Sequence, residues 1–67
     1  MPNYKFMVLD HRNHLIEVQE SLFSSDELAC ERAKTIFSER VPHAVEVWQI
    51  ARFVCRMNNV GLEFAAA

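Results

Sequence analysis

Phe23-Ser24-Ser25-Asp26-Glu27-Leu28-Ala29-Cys30-Glu31-Arg32-Ala33-Lys34-Thr35-Ile36-Phe37-Ser38-Glu39-Arg40 divides the chain, because it reads as one amphipathic helix between two extended halves. Its start matches a capping box, in which Ser24 accepts from the Glu27 amide and the Glu27 side chain reaches back to Ser24. Phe23 and Leu28 stand where a hydrophobic staple would place them, and Asp26 and Glu27 complement the positive end of the helix. Ala29, Ala33, Ile36 and Phe37 recur at helical spacing with Cys30 at the stripe's edge, while Glu31, Lys34, Thr35 and Ser38 turn outward. The small alanines suit close approach to a sheet. Pro42 disfavours helical geometry at Val41, so the helix ends near Arg40.

Upstream, the runs Tyr4–Leu9 and Leu15–Val18 flank Asp10-His11-Arg12-Asn13-His14, which is a hairpin signal. A three-residue loop, His11-Arg12-Asn13, puts Asn13 in the left-handed conformation that asparagine tolerates and sets Leu9 opposite Leu15. Alternation then predicts a core face of Tyr4, Phe6, Val8, Ile16 and Val18. The outer face collects Lys5, Met7, Leu9, Leu15, Glu17 and Gln19.

Downstream, Ala44–Met57 also alternates, but as one strand it would be about 45 Å long, well beyond the usual length. A turn at Gln49-Ile50-Ala51 divides it into Ala44–Trp48 and Arg52–Met57, pairing Trp48 with Arg52 and Val47 with Phe53. Val45, Val47, Phe53, Cys55 and Met57 then face the core, and Glu46, Trp48, Arg52, Val54 and Arg56 face away. A two-residue turn would bring Trp48 and Phe53 to one face, yet it mixes arginines into the inward set, so patterning argues against it. The expected fold is α+β: a small antiparallel β-sheet in ββαββ order, hairpin-helix-hairpin, with one helix packed on one face. Residues 1–60 form a single domain. Residues 61–67 are set aside as a C-terminal tail, because Leu62–Ala67 reads either as a natural tail or as residues encoded by cloning sites.

With 67 residues, 51% of them hydrophobic and 24% charged, the chain has the composition of a folded domain. A domain this short hides only about 60% of the surface its unfolded chain exposes, so a disulfide, a metal or a partner subunit is expected to contribute. Cys30 and Cys55 lack the close spacing of a zinc or redox motif and read as small buried thiols of a reducing, cytoplasmic setting. The net charge of −2, without any Lys/Arg run, gives no attraction to phosphate. The opening residues lack the apolar length of a signal peptide or membrane span, so no membrane partner is expected.

Tyr4, Leu9-Asp10, Asp26-Glu27, Ala29, Ala33, Val45-Glu46-Val47-Trp48 and Arg52-Phe53-Val54 follow one pattern over most of the chain up to Met57. In this the chain resembles a group of short uncharacterised bacterial proteins with a hairpin-helix-hairpin pattern. The resemblance implies the same fold and brings no catalytic or binding residues. Such sequences usually carry glycine in each turn, where this one has Asn13 and Ile50. Isoleucine suits positive φ poorly, which keeps a long bent strand or a strand exchanged between subunits as an alternative to the second turn.

His11, His14 and His43 have no ligand spacing between them, so neither metal nor other cofactor is expected. Nothing near Cys30 would activate it as a nucleophile, capping already accounts for Asp26 and Glu27, and one glycine excludes a Gly-rich phosphate loop. The chain reads as no enzyme. Its open sheet face is different: Met7, Leu9, Leu15, Trp48, Arg52 and Val54 form a candidate interface, rimmed by Lys5, Glu17, Glu46 and Arg56. The bland reading covers that face with long side-chain stems and stacks Trp48 on Arg52. The leading expectation is a non-catalytic interaction module that forms a homodimer through its open sheet face, centred on Trp48, or through a sheet edge. An unknown protein partner could use the same surface. The alternative is an exposed-sheet binder of single-stranded nucleic acid, with Trp48 stacking a base and Lys5, Arg52 and Arg56 on phosphate; the acidic total counts against it.

Overall fold

The computed structural model describes residues 2–40 and 42–64. The elements run β1 (Asn3–Leu9), β2 (Leu15–Leu22), α1 (Asp26–Arg40), β3 (Ala44–Gln49), β4 (Arg52–Asn58) and β5 (Gly61–Phe64). They build one antiparallel sheet in the order β2-β1-β3-β4-β5, with α1 packed chiefly over β3 and β4. The α+β class and the ββαββ order match the expectation. The fifth strand was not expected, since it lies in the segment set aside as a tail. Leu62 pairs with Met57 and packs against the core, so residues 61–64 belong to the sheet; residues 65–67 lie outside the described residues.

The first loop closes as the sequence predicts. Asn13 holds φ 62° and donates its amide to the Asp10 carbonyl at 2.9 Å, while the Asp10 amide donates to the His14 carbonyl at 3.0 Å. The Asp10 carboxylate accepts from the amides of Arg12 and His14 at 2.8 and 2.9 Å, and these donors hold its carboxyl below the usual range. Leu9 then faces Leu15.

One pair further on, the alternation inverts. Val8 pairs with Glu17, so Ile16 is an extra residue in β2, a bulge. Met7 consequently faces Val18, which puts Val18 on the side away from α1 and turns Glu17, Gln19 and Ser21 toward it. The predicted core positions of Ile16 and Val18 are corrected: they are 57% and 43% exposed.

The second hairpin turns on two residues, Ile50 and Ala51, with Gln49 opposite Arg52 and Trp48 opposite Phe53. The expected pairs Trp48–Arg52 and Val47–Phe53 do not form. A bulge at Val54 restores the expected parity beyond it, pairing Val47 with Cys55 and Val45 with Met57. The bulge breaks the alternation on which patterning disfavours a two-residue turn. Arg52 does face the α1 side, but at the end of the sheet, where it reaches Asp26 in the first turn of the helix instead of the core.

The helix also starts one residue later than its apparent box. Ser25 Oγ accepts from the Leu28 amide at 3.3 Å and the Ser25 carbonyl accepts from the Ala29 amide at 3.2 Å, which makes Ser25 the cap. Leu28 is half exposed. Phe23 instead sets its ring edge-on to Tyr4 and Phe6, with centroids 6.3 and 5.8 Å away. The core that results comprises Tyr4, Phe6 and Val8 of β1, Val45 and Val47 of β3, Val54 and Cys55 of β4, and Ala29, Cys30, Ala33 and Ile36 of α1. Arg40, at the end of α1, pairs with Glu17 of β2.

Candidate interaction surface

Cross-strand pairing assembles the side of the sheet away from α1 from Lys5, Met7 and Leu9, then Leu15, Val18, Glu20 and Leu22, then Ala44, Glu46 and Trp48, then Phe53 and Arg56. Four of the six expected interface residues, Met7, Leu9, Leu15 and Trp48, share this side. Leu9 is only 7% exposed and offers little to a partner. Val54, the bulge residue, is 3% exposed and packs in the core, and Arg52 lies on the opposite side. Both leave the expected set for the same reason, the shorter turn with its compensating bulge.

Trp48 keeps clear of the helix but is well occupied. Its ring meets Phe53 edge-on at 5.4 Å, and Nε1 donates to Glu46 Oε1 at 3.1 Å. The other Glu46 oxygen accepts from Arg56 at 2.8 Å, and Arg56 also donates to Asn13 Oδ1 at 3.2 Å. The middle of the face is thus half-buried and internally satisfied, with Phe53 in the place expected for Arg52.

Among the described residues, four of the eight exposed large apolar side chains belong to β2. Leu15 is 50% exposed, Ile16 57%, Val18 43% and Leu22 57%, and all belong to a strand that pairs on one side only. Sequence reasoning missed Ile16, Val18, Leu22 and Phe53 as surface residues. No local signal separates the two options, because Glu17-Val18-Gln19-Glu20-Ser21-Leu22 alternates equally well in either orientation; the bulge decides which set faces the helix.

Across the sheet, Tyr4, Asp26 and Arg52 form a closed polar group. The Tyr4 hydroxyl donates to Asp26 Oδ1 at 2.7 Å, and Arg52 donates to both Asp26 oxygens at 2.9 and 3.1 Å. The Arg52 guanidinium, then the Tyr4 hydroxyl, hold the Asp26 carboxyl low, and the same hydrogen bond raises Tyr4. Burial pushes both the Cys30 and Cys55 thiols up, which suppresses their thiolates. His11, His14 and His43 are exposed, and among the described residues no three His, Cys, Asp or Glu side chains converge on a possible ion. No helix of the described residues is long and apolar enough to cross a membrane. Compared with known proteins, the chain matches no family model, no curated protein and no solved structure.

Proposed function

We propose that this chain is a non-catalytic interaction module that self-associates through its open sheet face or through a sheet edge. The observation that carries the reading is the inverted strand β2, which turns Glu17, Gln19 and Ser21 toward the helix side and Val18, Glu20 and Leu22 away from it. A strand evolved for a solvated outer face would carry its polar set outward. Small domains gain stability from a partner subunit, and apolar side chains half exposed along one strand suit such a contact. Two buried free thiols fit a reducing, cytoplasmic setting.

The nucleic-acid alternative has weaker support, because Lys5 and Arg56 share a side while Arg52 lies on the other, and both arginines are already paired with carboxylates. Trp48 fluorescence during titration with single-stranded oligonucleotide at low salt separates the two readings. Self-association predicts no change, and a saturable, salt-sensitive quench would favour nucleic acid.

A further inference from the structure

We propose that β2 pairs antiparallel with β2 of a second copy, about a two-fold axis normal to the sheet at Gln19, joining two sheets into one. The inference rests on the self-association reading and names the contact within it. β2 forms one edge of the sheet over eight residues, Leu15–Leu22, whereas β5 at the other edge has four among the described residues. Its outer row of backbone N–H and C=O groups is a template for another strand; β2 carries neither Pro nor Lys, and its bulge at Ile16 and helix-side Glu17 lie toward one end, leaving Val18–Leu22 regular.

The two-fold selects the register. Facing residues in an antiparallel pair share a side, so a two-fold normal to the sheet through one residue keeps both helices on the same side. An axis at Glu17 or Glu20 sets a carboxylate against its own copy, which is unfavourable. An axis at Val18 brings the Ile16 bulge into the second pair from the centre, and one at Ser21 leaves only Glu20–Leu22 to pair. An axis at Gln19 centres on the regular stretch beyond the bulge. Glu17 then faces Ser21 and Val18 faces Glu20, each of the second copy, with the two Gln19 amides beside each other. Carboxylate meets hydroxyl, the exposed Leu22 comes to lie at the same end of the contact as the second copy's Ile16 bulge, and no like charges stand opposite. Isologous pairing consumes both β2 edges and therefore stops at a dimer.

The test replaces Gln19 with cysteine in the full chain. Oxidised glutathione serves as the two-electron acceptor, releasing two glutathione thiols as the two introduced cysteines form their S–S bond. Facing residues in an antiparallel pair lie about 4.5–5.5 Å apart at Cα, within disulfide range. The native thiols are buried, and Ser38→Cys on the exposed face of α1 controls for random collision. The expected result is a covalent dimer for Gln19→Cys and none for Ser38→Cys. If sedimentation finds a dimer but Gln19→Cys cross-links no better than Ser38→Cys, the β2 contact is overturned while self-association survives. A monomer at every concentration overturns both. Hydrogen exchange on the unsubstituted chain gives a second reading: β2 amides exchange more slowly in concentrated than in dilute protein, and concentration-independent β2 exchange overturns the contact.

Discussion

Ile50 holds φ 58° with a side chain that is 95% exposed, so it accepts left-handed strain and buries almost nothing in return. Replacing it with glycine removes strain of about 1–2 kcal/mol and adds a smaller entropic cost in the unfolded chain. Ile50→Gly should therefore raise the denaturant midpoint, by about 0.5–1 kcal/mol in stability; a lowered midpoint would show that this turn does not hold its strained form. At the helix start, Ser25→Ala should cost about 1 kcal/mol and Ser24→Ala much less, the reverse of what a box at Ser24 predicts. Asp26 makes the stability acid-sensitive. Its folded pKa lies below the unfolded value, so its contribution is complete above about pH 4 and fades as the pH falls through the lower folded value. Asp10 has the same sign, with backbone amides as the cause. Stability measured by denaturation should drop on acidification below about pH 4, and Asp26→Asn should flatten part of that drop. An unchanged acid profile in this variant would remove the Arg52–Asp26–Tyr4 group as a contributor.

At the scale of elements, the sequence exposes the helix and both hairpins but not the parity of two strands. Tyr4, Phe6 and Val8 read correctly because no bulge interrupts their strand, and Asn13 read correctly because its loop needs a residue that tolerates positive φ. Ile16 and Val54 are each one residue too many, and an inserted residue leaves the alternation intact on either side of it, so nothing local marks it. Their consequences differ. The bulge in β4 repairs a register that the short turn had shifted, so Cys55 and Met57 still reach the expected side, whereas the bulge in β2 inverts everything after it. The same limit explains Phe53 and Arg52, which exchange sides between expectation and structure. β5 escaped notice because Gly61–Phe64 is short and sits in residues that resemble a vector-encoded end. Its role is testable, since Leu62 packs on the core from this strand. Leu62→Ala should cost about 1–2 kcal/mol, less than a fully buried leucine because Leu62 is only partly covered. A change without effect on the thermal midpoint would return residues 61–64 to the status of a tail.

For the whole molecule, the decisive feature is asymmetry between the two sides of one sheet. α1 covers β3 and β4 and Phe23 packs on Tyr4 and Phe6, but β2 extends to the edge with its apolar set turned to the bare side. Of the candidate surface, the sequence revealed Met7, Leu15 and Trp48, and it overstated the centre, where Phe53 and Glu46 already occupy Trp48. Sedimentation velocity of the unsubstituted chain across a dilution series tests this account most directly. It predicts a species of twice 7.8 kDa at high micromolar concentration that dissociates on dilution. A single 7.8 kDa species throughout the series would contradict it.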